Sequence, residues 1–226
     1  MPRIGRVVAQ GCPHHVTQRG NYGQSIFSGE NDFKKYLQWL EDYSKKYELV
    51  IVGYCLMPNH VHLVVVPHNA DSIAKTLNLC HMLYSQYYNK KSGKIGHLWQ
   101  GRFYSCALEE RHLYEALRYV ENNPVRAKLV PQAQMWKYSS ARAHMSGMDN
   151  SEGLQLGKIP MVDAIEDWSK YLEEKEEQNT IKEIRANTLT GRPSGSAEFV
   201  ARLEQKFGKK LKPLPGGRPR KHGSCP

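Results

Sequence analysis

Two histidines one residue apart open an apolar run of the chain. Pro58-Asn59-His60-Val61-His62 is followed by the uninterrupted stretch from Leu63 to Val66. In a β-strand, side chains at i and i+2 project from the same face, so His60 and His62 would lie side by side. Two imidazoles on one strand can share a divalent cation; the alternative is a pair of core histidines bonded to backbone carbonyls. The metal interpretation therefore depends on a third ligand.

A tyrosine further along the chain is a candidate nucleophile. The helix predicted over 109–123 has an apolar stripe of Leu113, Ala116, Leu117 and Val120, and a polar stripe of His112, Glu115, Tyr119 and Asn123. Residues three and four apart share a helix face, so Tyr119 lies off the main core face with polar neighbours on both sides. Asn123 or Glu115 could complete a metal site beside it. The alternative is a tyrosine that flanks the core with its hydroxyl in water.

The elements that must position these residues follow from hydrophobic periodicity. Strands are predicted at 14–20, 49–57, 60–66 and 102–109, and helices at 31–47, 71–90 and 109–123, the last stopped by Pro124. The order β-α-β-β-α-β-α is typical of an α+β fold of the ferredoxin-like type, a four-stranded antiparallel sheet with helices packed on it.

Composition narrows the class of protein. The 226 residues carry a formal net charge of +10, which favours a polyanionic partner, although a basic protein without such a partner is the alternative. Five dispersed cysteines indicate reduced thiols rather than a disulfide scaffold or a zinc ribbon. No signal peptide is evident, and no apolar run approaches the ~20 residues of a membrane helix. We therefore expect a cytoplasmic, nucleoid-associated protein without a membrane partner.

Charge also divides the chain. Residues 151–180 carry 3 basic and 8 acidic side chains, whereas 201–226 carry 8 basic and 1 acidic. We predict a catalytic domain over 1–150 and a C-terminal extension over 151–226, with an acidic helix near 161–177, a short helix over 196–207 and a basic tail.

Several motifs together resemble a known family. The Pro58–His62 stretch, LWQGRF at 98–103, and Tyr119 four residues before Asn123-Pro124 are similar to those of REP-associated tyrosine transposases, which belong to the single-tyrosine HUH transposases of bacterial insertion sequences. The segments 14–21 and 191–221 resemble the longer members. The resemblance implies His60 and His62 as metal ligands and Tyr119 as the nucleophile. It also implies Asn123 as a third ligand, where the wider family has Gln, and Mg²⁺ or Mn²⁺ as the metal.

The function implied by this resemblance is that of a single-stranded DNA endonuclease and strand transferase. Attack by tyrosine would give a 5′-phosphotyrosine link and a free 3′-OH, and the substrate would be a hairpin of repetitive extragenic palindromes. We expect a monomer, with a dimer left open. The alternatives from other classes are a non-catalytic DNA-hairpin-binding protein and a metal-dependent RNA-processing enzyme on the same sheet.

Residues that combine cations, amides and aromatic rings are the predicted DNA contacts. They are Gln18, Arg19, Asn21, Trp99, Gln100, Arg102 and Phe103. Trp99 and Phe103 could instead be core residues, and Arg102 a helix cap. In the tail, Arg218, Arg220 and Lys221 resemble an AT-hook that enters the minor groove, or form a solvated basic tail.

Overall fold

The sheet is the frame of the molecule. The structure, a computed structural model, describes residues 6–147, 154–158, 165, 167–174 and 176–212. The strands are β1 (His14–Arg19), β2 (Leu49–Met57), β3 (His60–Pro67) and β4 (Tyr104–Ala107). They form one sheet in the order β2-β3-β1-β4, with every neighbouring pair antiparallel. The predicted ferredoxin-like α+β fold is confirmed.

Helices cover both faces of the sheet. They are α1 (Glu30–Lys46), α2 (Ser72–Ser92), α3 (Glu110–Glu121), α4 (Asn123–Arg126), α5 (Ala141–Ser146), α6 (Trp168–Glu173), α7 (Gln178–Thr190) and α8 (Ala197–Phe207). The first two pack together on one face, and α3 and α7 pack on the other. No helix among the described residues is long and apolar enough to cross a lipid bilayer.

Alternation along β3 decides which side chains reach which face. Val61, Leu63 and Val65 join the core under α1 and α2. The intervening positions face α3, where Val64 packs with Leu113 and Leu117. Because side chains alternate between the two faces of a strand, His60 and His62 also point toward α3. The helix that carries Tyr119 therefore lies over the histidine pair.

Pro124 both ends one helix and begins another. The third helix ends at Glu121, and Pro124 lies in the first turn of α4, where the missing backbone N–H of proline is tolerated. The predicted fourth strand is shorter than expected, at Tyr104–Ala107. The predicted helix over 196–207 is present as α8, with the Ser196 side chain accepting a hydrogen bond from the Phe199 N–H.

A buried carboxylate joins α3 to the chain that follows it. Glu121 is fully buried. Its carboxylate accepts hydrogen bonds from the Ser140 hydroxyl, from His144 Nδ1 at 2.6 Å and from Trp168 Nε1 at 2.8 Å. We call these four side chains the Glu121 cluster. Trp168 belongs to α6, which lies within the predicted acidic helix near 161–177; several residues of that range are outside the described residues, as are Arg218, Arg220 and Lys221.

Candidate active site

The histidine pair and the tyrosine meet at one cavity. The ring centroids of His60 and His62 are 4.9 Å apart, and the Tyr119 ring lies edge-on to His62 at 5.6 Å. The cavity has a volume of about 310 Å³. Its lining comprises His15, Thr17, Arg19, His60, His62, Gln100, Tyr104, Tyr119, Arg185, Thr188 and Leu189. The structure thus brings together His60 and His62 of β3 and Tyr119 of α3, which are far apart in the sequence.

A chain of hydrogen bonds fixes the tautomer of His62. The Thr188 hydroxyl donates to the Ile184 carbonyl, so its oxygen accepts from His15 Nδ1 at 2.7 Å. The neutral His15 ring then carries a lone pair on Nε2, which accepts from His62 Nδ1 at 2.9 Å. His62 is therefore left with its Nε2 lone pair toward the cavity. We call Thr188, His15 and His62 the relay.

His60 is held in the same tautomer by a different partner. Its Nδ1 lies 2.6 Å from Asn59 Oδ1, and the Asn59 amide group in turn donates to the Gly23 carbonyl. His60 Nδ1 is therefore the donor, and Nε2 keeps its lone pair. Second partners of this kind orient imidazoles that bind metals. Both histidines consequently have an Nε2 lone pair that no hydrogen bond within the described ranges uses.

Burial keeps these imidazoles neutral. It lowers the pKa of His15 to about 3. Burial, helped by the charge of Arg19, lowers the pKa of His60 to about 4. The pKa of His62 also lies well below its usual value, because the ring is buried and faces other imidazoles and the cations Arg126 and Arg185. At neutral pH all three rings are uncharged, which is the form that binds a cation.

The donor set fits a divalent cation held by two imidazoles. His60 Nε2 and His62 Nε2 would hold it. Imidazole nitrogens suit Zn²⁺, Fe²⁺ or Ni²⁺ better than the predicted Mg²⁺ or Mn²⁺, which favour oxygen ligands. Neither Asn123 nor Glu115 lines the cavity. The Asn123 amide group donates to the carbonyls of Tyr119 and Val120, at 3.1 and 3.2 Å. Among the described residues, no three His, Cys, Asp or Glu side chains form a metal-binding group.

Tyr119 is more buried than its polar stripe suggested. Its residue exposure is 4%, and the ring packs between His15, His62 and the Arg126 guanidinium, which lies 4.4 Å from the ring centroid. The hydroxyl group accepts a hydrogen bond from Arg185 Nε at 3.2 Å. The ring is therefore fixed by packing, while its oxygen is bonded to Arg185, which lines the same cavity as Tyr119.

The predicted DNA contacts divide into surface and core residues. Arg19 and Gln100 line the cavity, Arg102 is exposed, and Asn21 is partly exposed. Gln18 is buried and donates to the Gly101 carbonyl at 2.7 Å. Trp99 and Phe103 lie in the core, with exposures of 8% and 3%, which is the alternative that the sequence left open. Neither ring has a free face on which a base could stack.

Sequence reasoning missed Thr17, Tyr104 and Leu189 of the cavity lining. It also missed four residues of the relay and of the Tyr119 contacts. They are His15, Arg126, Arg185 and Thr188. His15 is in a predicted strand next to His14, whose ring is fully buried and bonded to the Ala9 N–H and the Cys12 carbonyl. Because neighbouring residues of a strand point to opposite faces, only one of His14 and His15 can lie on the face of His62. Strand alternation would therefore have marked one of them as a candidate for this site. No motif marks Arg185 or Thr188, which lie in the predicted extension.

Comparison with known proteins identifies the family. The sequence model described as "Transposase IS200 like" matches residues 8–123, from before β1 to the first residue of α4. The chain therefore belongs to the IS200-like transposases. It is 29% identical to a candidate REP-associated tyrosine transposase of Haemophilus influenzae over 122 residues, which is 49% of this chain and 67% of that protein.

A solved structure supports the fold independently. A REP-associated tyrosine transposase bound to a REP hairpin superimposes with a TM-score of 0.53 at 16% identity, over 70% of this chain and 100% of that one. The resemblance to REP-associated tyrosine transposases that the motifs predicted is thus confirmed. The matched residues of the family end at 123, so α7 and its three cavity residues, Arg185, Thr188 and Leu189, lie beyond them.

Proposed function

We propose that this transposase is a metal-dependent single-stranded DNA endonuclease and strand transferase that uses Tyr119 as its nucleophile. The observation that carries the proposal is the position of the Tyr119 hydroxyl at a cavity that also holds two neutral imidazoles with free Nε2 lone pairs. A divalent cation bound there would neutralise the charge of a phosphodiester and polarise it toward attack.

The bond changes follow from the residues. The Tyr119 oxygen attacks phosphorus and loses its proton to solvent, so that a tyrosine-to-phosphorus bond forms. The bond from phosphorus to the 3′ oxygen breaks, and that oxygen leaves with the electron pair and takes up a proton. The 5′-phosphotyrosine link retains a phosphodiester, so attack by another 3′-OH can rejoin the strand without ATP.

The proposed substrate is a DNA hairpin with a single-stranded flank; the similar solved transposase is bound to a REP hairpin. Arg19 and Gln100 would contact the strand as it enters the cavity. Tyr22, with 95% of its surface exposed, offers an open ring next to Asn21 for base stacking. We propose that a monomer suffices, because Tyr119 and both histidines belong to one chain.

A denaturing gel tests this proposal. The protein is incubated with end-labelled single-stranded hairpins whose flanks are randomised, with Mg²⁺ or Mn²⁺. We expect a covalent protein–DNA adduct that survives denaturant, that disappears with a chelator and that Tyr119→Phe does not form. A protein that binds hairpins tightly but forms no adduct would be the non-catalytic alternative, and preferential cleavage of matched RNA hairpins would favour the RNA-processing one.

A further inference from the structure

The C-terminal helix α7 is built into the wall of the active-site cavity. Its buried face, Ile181, Ile184 and Thr188, packs against the α3 side of the sheet, where the helix contacts β4 and β1. Thr188 is fixed further by the bond of its oxygen to His15. This packing sets both the position of α7 and its rotation about its axis. Arg185, one residue after Ile184, thereby reaches the rim of the cavity.

Arg185 contacts the reacting atom itself. Its Nε donates to the Tyr119 hydroxyl oxygen at 3.2 Å, and its guanidinium carbon lies 5.5 Å from the ring centroid. The residue is exposed and lines the cavity, so a DNA strand in the cavity can reach it. An arginine side chain remains charged at any physiological pH and has five N–H donors in a planar fork that matches phosphate. With Nε on the phenol, the other donors are available to an incoming phosphate.

The second arginine at this tyrosine has a different environment. Arg126 lies over the face of the Tyr119 ring, and its Nη1 is paired with both carboxylate oxygens of Glu176, at 2.6 and 2.8 Å. Its Nη2 donates to the Tyr119 backbone carbonyl. The Arg126 guanidinium is thus neutralised by a carboxylate and directed at the backbone and the ring. Arg185 is the arginine whose donor is directed at the nucleophilic oxygen.

We propose that Arg185 is a catalytic residue that the C-terminal helix supplies to the transposase site. Its guanidinium holds the Tyr119 oxygen for attack and donates to the non-bridging oxygens of the same phosphate as charge builds up between the attacking and leaving oxygens. It keeps its protons throughout; the phenol proton goes to solvent and the 3′ oxygen takes up a proton, as in the reaction above. The inference rests on the proposed function, because it requires Tyr119 to attack a phosphodiester.

The test compares two matched charge removals on one helix. Arg185→Gln removes the guanidinium, whereas Lys182→Gln removes an exposed charge three residues earlier on α7. The hairpin that gives the wild-type adduct is used in single-turnover reactions with Mn²⁺, and hairpin affinity is measured separately in the Tyr119→Phe background. Melting curves confirm that each variant is folded. A further variant, Arg185→Ala, is assayed with and without added guanidinium ion.

We expect Arg185→Gln to slow adduct formation by about 100-fold, as removal of a preorganised donor to a developing charge does in other enzymes. It should change hairpin affinity no more than Lys182→Gln does, and added guanidinium should restore part of the rate of Arg185→Ala. Equal rates for the two Gln variants, or a faster reaction with Arg185→Gln, would overturn the role of Arg185. If the wild type forms no adduct with any hairpin, the proposed function itself fails.

Discussion

Both faces of the sheet contain buried tyrosine and histidine side chains, but their hydrogen bonds and surroundings differ. Under α1 and α2, the Tyr36 hydroxyl is bonded to His81 Nε2 at 3.0 Å, and Tyr84 donates to the Ile26 carbonyl at 2.5 Å. Under α3 and α7, Tyr119 also packs on histidines. A buried tyrosine beside an imidazole therefore occurs on both faces. The arrangement at Tyr119 is the one that lines the cavity described above, where His60 and His62 have free Nε2 lone pairs.

The difference lies in how the hydrogen bonds are satisfied. On the α1 and α2 face, burial raises the pKa of Tyr36 well above its usual value and lowers that of His81 to about 3, and these groups bond to one another or to the backbone. On the opposite face, the Tyr119 oxygen is bonded to an exposed arginine, and His60 and His62 each have one nitrogen that is hydrogen-bonded and one that is free. The accessible lone pair, rather than the residue type, distinguishes the candidate site from the core.

The largest expected effect on adduct formation distinguishes Tyr119 from Tyr84, a core tyrosine on the α1 and α2 face. Tyr119→Phe should abolish the covalent adduct, because the attacking oxygen is removed, while leaving hairpin binding intact. Tyr84→Phe removes a hydroxyl bonded to a core carbonyl, so it should lower stability by about 1 kcal/mol and leave adduct formation nearly unchanged. Gel assays and denaturant unfolding measure the two effects. An adduct formed by Tyr119→Phe would mean that another residue is the nucleophile.

A similar contrast should separate the two histidine environments. His62→Ala removes one of the two proposed ligands and should abolish the binding of Mn²⁺ that electron paramagnetic resonance detects. His81→Ala removes the core bond to Tyr36 and the ring contact with Trp99, both on the opposite face of the sheet, so the folded variant should bind Mn²⁺ as the wild type does. The same Mn²⁺ affinity in both variants would contradict the proposed metal site.

A smaller effect on Mn²⁺ affinity is expected from a change at Thr188, the first residue of the relay. Thr188→Val removes the acceptor of His15 Nδ1, so the tautomer of His62 is no longer fixed. We expect Mn²⁺ affinity to fall by about 10- to 100-fold, the usual effect of losing a residue that orients a metal-binding histidine. Thr190→Val is the matched control, since the Thr190 hydroxyl bonds only within its own helix. If both variants lose affinity equally, the relay has no role in metal binding.

The smallest effect concerns pH and a histidine whose pKa is raised rather than lowered. Burial opposes charging of His144, but the Glu121 carboxylate outweighs it, and the pKa of His144 is raised. A raised folded-state pKa stabilises the fold fully below the unfolded value near 6.5, and this stabilisation is lost as the pH rises through the folded value. Denaturant unfolding at several pH values should therefore show that the cost of His144→Gln decreases from acid to alkaline pH. A cost that does not vary with pH would contradict the raised pKa of His144.

Local patterns were sufficient to predict the frame of the site. Strand alternation put His60 and His62 on one face, and the order of elements predicted the sheet that the structure contains. The relay could not be predicted, because Thr188 and His15 are 173 residues apart and meet only through the packing of α7. Trp99 shows the same limit: an aromatic residue beside Gln100 and Arg102 fits a DNA contact equally well until tertiary packing puts its ring against Tyr36 and His81.

The Glu121 cluster has a consequence for folding cooperativity. Glu121 lies within the matched residues of the family, whereas Ser140, His144 and Trp168, which donate to its carboxylate, all come later in the chain. A fragment cut after residue 123 would leave this carboxylate without those donors, two positions from Tyr119, and a buried charge without partners costs several kcal/mol. The helix that carries the nucleophile and the segments up to α6 should therefore unfold as a single unit. Limited proteolysis between α3 and α6 should therefore release an unfolded product, not a smaller transposase domain.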